Sequence, residues 1–528
     1  MKDAKGYINT QSEAFAMHSA HMMQLIDVLQ QHQCSLEPMT STDSPNKTNQ
    51  SIVQQRLTWL LDPHEPFFEV GGFAAIDTDE PVGGGAVAGI GFIHQRPVVI
   101  FANDPKIKKG KLSVYAYKKW RRALTIAHEQ KLPYISLVES AGYDLDLLER
   151  AKSNGLTMPH FAESGHEFYL MARLSKKHIP NICVVFGSAT AGGAYQPALS
   201  DYTIFVNHQA KVYLAGPHLV KMAIGEDSTH EALGGAELHA QVTGLADYLA
   251  DDDEDACIQC RQLVKATTSM PNHHATSSLT AKYPIADLLG WLDPELMRLA
   301  DPQVLLTRIL DDASWFEYKP LFGPKMMCGW GEIAGMKTAV IMNHGNIDAN
   351  SAKKSASFIS LCNQQDCPII FIHNNTGFIV GEAAEKQGII CAGAHMIKAM
   401  SNSTVPHISL MVGASYGAGT YAMCGPGFNP RFALGWPNAK CNVMGPEILA
   451  GVMTLIRAKR LEKPALDALR LLLIEAASAQ EKATSLASEL AIDAIIDPRD
   501  TRHALTFLLN ILYQQPIQGS TDFGGMRL

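Results

Sequence analysis

Short apolar runs rich in β-branched residues recur along the chain, and each stops at glycine or at polar residues. Runs of this kind predict buried β-strands. Three such runs occur in the same order in both halves of the chain, with stretches of helical periodicity between them. In the first half they are residues 96–103, 132–139 and 179–187, and in the second half 337–343, 367–374 and 405–413. This repeated order predicts two α/β domains of one fold rather than a short solenoid repeat.

The third strand of each set runs into a glycine-rich turn. The first turn is Gly187-Ser-Ala-Thr-Ala-Gly192-Gly193-Ala-Tyr195, and the second is Gly413-Ala-Ser-Tyr-Gly-Ala418-Gly419-Thr-Tyr421. Small residues let a helix begin close to a bound group. A helix start offers unpaired peptide N–H groups, which stabilise an enolate or another oxyanion. The two copies therefore predict two oxyanion holes that serve one reaction.

Segments outside the repeat carry helical and loop patterns. Residues 1–38 place apolar side chains at helical spacing and predict a helical arm, whereas the polar residues 39–52 predict an exposed loop. Leu57–Leu61 predicts a helix that stops at Pro63. From Pro464 onward, leucines at helical period predict a packed pair of terminal helices.

The length of 528 residues and the apolar fraction of 46% are sufficient for two buried cores. Two domains of roughly 200 to 270 residues account for that length. A Thr/Ser/Pro-rich stretch at 267–284 predicts the boundary between them. The predicted division is an arm and loop at 1–54, a first domain at 55–284 and a second domain at 285–528.

The net charge and the length of the apolar stretches argue against nucleic acid and membrane as partners. A net charge of −8 and an isoelectric point near 6.2 give no electrostatic footprint for nucleic acid. No apolar stretch approaches the roughly 20 residues of a membrane span, and the first residues carry neither a secretory apolar core nor an Arg-rich transit pattern. These features predict a cytoplasmic protein that binds neither nucleic acid nor membrane.

Ten cysteines are scattered without the spacing of a disulfide framework, so we expect reduced core residues. Cys257 and Cys260 form a CxxC pair, but no second pair follows at zinc-ribbon spacing. The pair comes after the acidic run Asp251–Asp255, which suits the first turn of a helix. The sequence therefore predicts a helix here and no metal site in the chain.

Eight cations fall within seventeen residues between two predicted strands of the first half. They are Lys106, Lys108, Lys109, Lys111, Lys118, Lys119, Arg121 and Arg122. Such a run is either a solvated helix face or a site for coenzyme phosphates, and both interpretations stay open. Gly83–Gly91 precedes a predicted strand and lacks GxGxxG spacing, so it predicts a glycine-rich strand entry rather than a dinucleotide loop.

Several motifs, together with the two turns, point to a family. They are Gln196-Pro-Ala-Leu-Ser-Asp201, Leu214-Ala-Gly-Pro217, Leu233-Gly-Gly-Ala-Glu-Leu-His239, Ser351-Ala-Lys-Lys354, Asn375-Thr-Gly-Phe-Ile-Val-Gly381, Pro430-Arg-Phe432, Trp436-Pro437 and Val443-Met-Gly445. Through these motifs, in family order over residues 55–528, the chain resembles the carboxyltransferase (β) subunits of biotin-dependent acyl-CoA carboxylases. It is nearest to the 3-methylcrotonyl-CoA carboxylase branch, which serves leucine degradation.

The resemblance implies an α/β fold of two tandem crotonase-like (ClpP/crotonase) domains of duplicated ββα superhelix. By the same resemblance, the first domain binds a coenzyme A thioester and the second binds carboxybiotin. The site would lie where the first domain of one subunit meets the second domain of another, in a homo-oligomer with a hexameric core. The chain has no Ala-Met-Lys-Met sequence, so carboxybiotin would come from a separate biotin carboxylase/biotin carboxyl carrier (alpha) subunit.

The resemblance also implies roles for individual residues. Peptide N–H groups around Gly192 and Gly193 would stabilise the thioester oxyanion, and those around Ala418 and Gly419 would stabilise the biotin ureido oxyanion. The biotin nitrogen would remove the substrate proton, so the cofactor supplies the base. Further contacts to the acyl-CoA are expected from Ala191, Tyr195, Lys118, Arg121 and Gly142, and further contacts to biotin from Gly377, Phe378, Tyr416 and Tyr421.

Four segments depart from the family pattern. They are Ser44–Ser51, where relatives carry a basic run, Glu139–Tyr143, Cys391–His395 and Gly425–Phe428. These departures bear on the coenzyme phosphate contacts and on the choice of acyl group, and they leave both turns intact. A branched enoyl group such as 3-methylcrotonyl is expected, with propionyl, geranyl or longer chains as alternatives.

Hypotheses from other classes compete with the carboxyltransferase. Gly413–Gly417 matches the nucleophile elbow GxSxG, so Ser415 with the later His503 would make a serine thioesterase or hydrolase. Against this, the first copy of the turn has Ala189 where the second has Ser415. A noncatalytic scaffold subunit is a further alternative, and a decarboxylase running the reverse half-reaction would use the same site.

Overall fold

The computed structural model describes residues 6–33, 51–142, 165–268, 280–293, 301–343, 345–457 and 462–520. The chain divides into two compact units, one formed by His32–Asn272 and the other by Met1–Gln31 with His273–Leu528. The boundary at residue 272 falls inside the Thr/Ser/Pro-rich stretch, whereas the division at 54 and 284 stays a prediction. Most of the predicted loop at 39–52 lies outside the described residues.

The unit His32–Asn272 contains an eight-stranded sheet. Its strands are β1 (Phe68–Glu69), β2 (Ala86–Ile93), β3 (Arg96–Asn103), β4 (Tyr134–Ser140), β5 (Asn181–Thr190), β6 (Tyr202–Val206), β7 (Lys211–Tyr213) and β8 (Tyr248–Ala250). They lie in the order β1-β2-β3-β4-β5-β6-β8, and β7 pairs with β5. Strands β1 to β3 are antiparallel neighbours, and the pairings from β3 onward are parallel.

The second unit repeats this sheet strand for strand. Its strands are β9 (Phe316–Glu317), β10 (Met326–Ile333), β11 (Met336–Asn343), β12 (Ile369–Asn375), β13 (His407–Tyr416), β14 (Phe432–Gly435), β15 (Lys440–Asn442) and β16 (Ala494–Ile495). They lie in the order β16-β14-β13-β12-β11-β10-β9, and β15 pairs with β13. The three predicted strand pairs are therefore confirmed as β3 with β11, β4 with β12 and β5 with β13.

Helices lie before, between and after these strands along the chain. In the first half of the chain they are Glu13–Gln33, Ile52–Leu60, Val114–Gln130, His166–Lys176, Tyr195–Ala198, Pro217–Ile224, His230–Gly234, Ala236–Leu238 and Asp253–Thr267. In the second half they are Pro302–Ile309, Ala349–Gln364, Glu382–Lys386, Ile389–Asn402, Ala418–Ala422, Pro446–Arg457, Lys463–Gln480, Ala483–Ser488 and Thr501–Leu512.

The first sheet is covered on both faces, which explains why its strands are continuous apolar runs. Along β5, Ile182 and Val184 belong to a core cluster that contains Cys257 and Cys260. The alternate residues of β5 point to the opposite face, where they pack with residues such as Ala236. The end of β5 that carries the first glycine turn is thus held between two packed layers.

The CxxC segment is helical, as predicted. Asp252 caps the helix Asp253–Thr267 by accepting a hydrogen bond from the backbone N–H of Asp255, and acidic residues fill the first turn. Cys257 and Cys260 are fully buried, and burial raises the pKa of the Cys257 thiol to about 12. Both thiols therefore act as small apolar core groups.

The terminal helices are partly as expected. The arm forms the helix Glu13–Gln33, which buries Met22, Ile26 and Leu29. The predicted helix at the other end also exists, as Lys463–Gln480. The later helix Thr501–Leu512 buries Leu505 and Leu508, as the prediction of packed terminal helices requires, whereas Lys463–Gln480 leaves Leu471 69% exposed and buries Ala477.

Candidate active site

The first glycine turn follows directly from the carboxyl end of β5. Ala191 adopts a φ of 52° and reverses the chain direction, and Ala191–Ala194 then forms a 3-10 helix. No side chain caps its start, and the first peptides of a helix have no acceptor inside it. A Cβ placed on Gly193 would lie 3.6 Å from the Cβ of Ser140, so packing alone does not require glycine there.

The second turn follows β13 in the same way. Gly417 has φ 56° and ψ −145°, a backbone conformation that favours glycine. The helix Ala418–Ala422 begins immediately afterwards, and no side chain caps it. Ala418 is exposed and Gly419 is buried. Unlike Gly193, Gly419 has no space for a side chain, because a Cβ would lie 2.2 Å from Oδ1 of Asn375.

A second glycine from the neighbouring strand stands beside each turn. Gly142 follows β4 with a φ of 87°, and its N–H donates to Oγ of Ser140 at 3.2 Å. Gly377 follows β12 with a φ of 105°, and its N–H donates to Oδ1 of Asn375 at 3.0 Å. The structure therefore brings Gly142 to the first turn and Gly377 to the second.

Aromatic side chains lie beside the first turn. The ring of Phe168 is 5.5 Å from that of Tyr195, and its Cζ would be 3.9 Å from a Cβ on Gly192. Tyr195 is 44% exposed. Phe168 therefore limits the space above Gly192, although the sequence analysis did not single it out.

Aromatic side chains also surround the second turn. Phe378 is half-buried against the core of its unit, and Tyr421 is exposed, with its ring 5.8 Å from that of Phe428. Tyr416 ends β13 with its hydroxyl directed inward, where it donates to Oε2 of Glu481 at 2.9 Å. Burial, followed by the hydrogen bond to Glu481, raises the pKa of Tyr416 well above its usual value.

The basic cluster divides into internal and surface groups. Nζ of Lys119 is fully buried and donates to the carbonyl of Ala86 at 2.6 Å. By contrast, Arg121 is half-exposed, and its Nε donates to Oε1 of the buried Glu167 at 2.7 Å. Nζ of Lys118 lies 5.5 Å from the ring centre of Tyr115. Lys119 is thus a structural residue, and Lys118 and Arg121 lie outside the turn itself.

The hydrolase hypothesis placed Ser415 with His503, and the structure does not bring them together. Ser415 is fully buried, and its Oγ hydrogen-bonds Nδ1 of His373 at 2.9 Å and Oγ1 of Thr420 at 2.9 Å. His503 is exposed on the helix Thr501–Leu512. A buried serine offers no access to a thioester, so the nucleophile assignment is wrong.

Two polar residues near the second turn were missed. His373 is fully buried, and burial lowers its pKa to about 3, which keeps the ring neutral. Asn375 is also buried, and its Nδ2 is without a hydrogen-bond partner among the described residues. The repeat contains a signal for both residues, because it aligns the polar His373 with the apolar Val138 and the larger Asn375 with Ser140.

Within the described ranges, no group of three or more His, Cys, Asp or Glu side chains is placed to hold a metal ion. The helices of these ranges include none that is long and apolar enough to cross a membrane.

Comparisons with known proteins give consistent matches. The family model described as the carboxyl transferase domain matches residues 45–524. The chain is 40% identical over 484 residues to the probable biotin-dependent acyl-coenzyme A carboxylase beta2 subunit of Mycobacterium tuberculosis, covering 90% of each chain. It is 37% identical over 490 residues to the mitochondrial methylcrotonoyl-CoA carboxylase beta chain of Dictyostelium discoideum, covering 90% of this chain and 82% of that one.

A solved structure gives a match of similar extent. The beta subunit of P. aeruginosa geranyl-CoA carboxylase superposes with a TM-score of 0.86 at 36% identity. The match covers 97% of this chain and 98% of that chain. The similarity therefore extends over both units.

Proposed function

Because the chain belongs to the carboxyl transferase domain family and is a carboxyltransferase of the biotin-dependent acyl-CoA carboxylases, we propose that it carboxylates a branched enoyl-CoA such as 3-methylcrotonyl-CoA. The carboxyl group comes from carboxybiotin on a partner subunit. The observation that carries this proposal is the uncapped glycine turn at the equivalent strand end of two matched sheets. The unit with residues 55–284 serves the thioester, and that with 285–528 serves biotin.

The first turn stabilises the oxygen of the acyl thioester. Removing a proton from the acyl group places negative charge on that oxygen, and fixed N–H donors lower the energy of the resulting anion. Gly192 and Gly193 supply these donors at the start of the 3-10 helix. Ala191 and Gly142 hold the adjacent backbone in left-handed conformations, and Tyr195 flanks the opening.

The second turn binds the ureido oxygen of biotin through Ala418 and Gly419. The surroundings fit a neutral ring that gains negative charge: Gly377 leaves room beside the turn, and Nδ2 of Asn375 is a buried donor with no partner among the described residues. Phe378 and Tyr421 provide apolar surface nearby. Carboxybiotin, when bound, supplies the carboxyl group and then the base.

The phosphates of coenzyme A lie against the surface groups of the basic cluster. Arg121 is suited to this role, since Glu167 holds its guanidinium while half of the side chain stays exposed. A planar guanidinium also forms paired hydrogen bonds to phosphate oxygens. Lys118 lies one turn earlier on the same helix, Val114–Gln130, and adds positive charge.

The acyl group is proposed to be short and branched. Two relatives are named for acyl-CoA or methylcrotonoyl-CoA carboxylation, and a third is a geranyl-CoA carboxylase. Phe168 lies close to Gly192, and in this proposal its ring limits the space for an acyl chain at the first turn. That restriction favours a methylcrotonyl group over a geranyl chain.

The partner is a biotin-carrying alpha subunit, and the chain itself assembles as a homo-oligomer with a hexameric core. The partner is inferred from the relative named as a beta2 subunit of a biotin-dependent carboxylase, and the hexameric core from the family resemblance alone. The same site can run the transfer backwards as a decarboxylation, so the partner and the energy supply determine the direction.

The test is a labelled carboxyl transfer across a panel of thioesters. The purified chain is mixed with a carrier protein bearing ¹⁴C-carboxybiotin and with propionyl-, 3-methylcrotonyl- or geranyl-CoA. We expect label to appear in the thioester, fastest with 3-methylcrotonyl-CoA. No transfer to any thioester would support the scaffold hypothesis, and release of free coenzyme A without carboxylation would contradict the proposed reaction.

A further inference from the structure

We propose that His373, Ser415 and Thr420 form a buried polar clamp that positions the peptide donors of the second turn, an inference that rests on the proposed function. In the proposed reaction these three residues contact neither the thioester nor biotin. They act through the turn, so each is a positioning residue rather than a catalytic one.

The polar clamp is one continuous chain of hydrogen bonds. Oγ of Ser409 lies 2.9 Å from Nε2 of His373, Nδ1 of His373 lies 2.9 Å from Oγ of Ser415, and Oγ of Ser415 lies 2.9 Å from Oγ1 of Thr420. Ser409, His373 and Ser415 are fully buried, and Thr420 is 7% exposed. Bonds shielded from water in this way hold their partners more firmly than exposed ones.

Because His373 is neutral, the hydrogen bonds of this chain all run in the same direction along it, and the tautomer decides which direction that is. A neutral imidazole has one N–H and one acceptor nitrogen. If Nδ1 carries the proton, it donates to Ser415, which then donates to Thr420, while Ser409 donates to Nε2. The other tautomer reverses every bond. His373 also hydrogen-bonds the backbone of Met423, and Thr420 the thiol of Cys441. Loss of the Ser415 hydroxyl therefore removes one partner from both His373 and Thr420 and breaks the link between them.

The polar clamp spans the bend that carries the donors. Ser415 lies on β13 before the bend, and Thr420 lies in the helix after it. The bend itself turns at Gly417, whose carbonyl accepts the backbone N–H of Thr420 at 3.1 Å. Ala418 and Gly419 sit between these two fixed points. The hydroxyl bond therefore closes a short loop around the two peptides and restricts their rotation.

The first turn folds without a polar clamp, so folding of such a turn does not require one. The register pairs Ser140 with Ala189 in the first sheet and Asn375 with Ser415 in the second. By this correspondence, Ala189 and Ala194 replace Ser415 and Thr420, and Val138 replaces His373. A glycine turn of this kind forms with apolar residues at all three places. The polar clamp is thus an addition specific to the second turn.

The test uses Thr420→Ala and Ser415→Ala, which copy residues that the first turn already accommodates. With the biotin-carrying partner and 3-methylcrotonyl-CoA, we expect either change to lower kcat about 10- to 100-fold, because small displacements of reacting groups have effects of that size. The KM for the thioester should stay within about twofold, because the thioester is assigned to the other turn. Thr420→Ser restores the hydroxyl and should keep most of kcat.

His407→Gln is the matched control. His407 is another buried histidine of the same unit, bonded to Ser403 at 2.8 Å, and it lies at the opposite end of β13 from the turn. Its loss should leave kcat close to wild type. If Thr420→Ala and Ser415→Ala both keep wild-type kcat, or if Thr420→Ser loses as much as Thr420→Ala, the positioning role is refuted. Absence of transfer by the wild-type chain would instead refute the proposed function.

Discussion

At the scale of single residues, the two turns place different demands on equivalent glycines. Gly193 and Gly419 hold the same position in the repeat, but Gly193 faces the small side chain of Ser140, whereas Gly419 faces the amide of Asn375. A Cβ on Gly193 would meet Ser140 at an ordinary van der Waals distance, whereas a Cβ on Gly419 would overlap Asn375. A sequence comparison of the two turns cannot reveal this difference, because it depends on the neighbouring strand.

The difference predicts unequal costs of adding one methyl group. Gly419→Ala forces Asn375 to move and should lower the free energy of unfolding by about 1–3 kcal/mol, whereas Gly193→Ala should lower it by less than about 1 kcal/mol. Denaturant unfolding of both variants measures this directly. Combining Gly419→Ala with Asn375→Ser should recover much of the loss, and equal costs for the two single variants would contradict the geometry.

His373 also predicts an effect of pH on stability. The pKa of the folded state is about 3, while that of an unfolded histidine is near 6.5. The unfolded chain therefore binds more protons between these values, so stability is full above pH 6.5 and falls as the pH drops towards 3. The slope for one such group approaches about 1.4 kcal/mol per pH unit.

The comparison of unfolding at pH 7 and pH 5 checks this contribution. His373→Gln should reduce the loss of stability between the two pH values. His407 has a folded pKa of about 4 because of burial, so part of the pH dependence should persist in the variant. An unchanged pH dependence in His373→Gln would show that the ring is not buried as a neutral group.

At the scale of elements, the repeat includes a buried ion pair that links a long helix to the first short strand of each sheet. In the first unit, Nζ of Lys119 lies 3.3 Å from Oε1 of Glu69, and burial lowers the pKa of Lys119 and raises that of Glu69. In the second unit, Nζ of Lys354 lies 3.8 Å from Oε1 of Glu317. Both lysines are fully buried.

The two pairs should respond differently to loss of the lysine. Lys119 also donates to the carbonyls of Ala86 and Gly83, so Lys119→Met should lower the free energy of unfolding by about 3 kcal/mol. Nζ of Lys354 has no hydrogen-bond partner within the described ranges, so Lys354→Met should be near neutral. Thermal unfolding of the two variants tests this, and a larger loss for Lys354→Met would be inconsistent with the contacts.

Strands were predictable from the sequence because buried parallel strands leave continuous apolar runs, as β5 and β13 do. The glycine turns were predictable because each follows such a run. The packing of the helix Lys463–Gln480 could not be predicted, because apolar residues at helical spacing do not specify whether that face of the helix is covered by other residues. The hydrogen bond between Ser415 and His373 could not be predicted from the sequence either. The two residues lie on different strands, which become neighbours only when the sheet forms.

At the scale of the whole molecule, the chain uses one fold twice and differentiates the copies by a few polar side chains. The tandem crotonase-like fold expected from the family resemblance is confirmed by the matched sheets and by the solved relative. The turns are alike in backbone, yet the second adds His373, Ser415 and Thr420 beneath its donors. This asymmetry would suit the two anions proposed for the turns, a thioester enolate at the first and a ureido oxyanion at the second.

The most direct test of the central claim is the single-turnover transfer of labelled carboxyl from a carboxybiotin carrier to 3-methylcrotonyl-CoA. It compares the wild-type chain with Gly193→Val, after size-exclusion chromatography has shown the same assembly. We expect rapid transfer by the wild type and a loss of about 100-fold or more in the variant, with thioester still bound. Equal transfer by both proteins would contradict a role for the first turn.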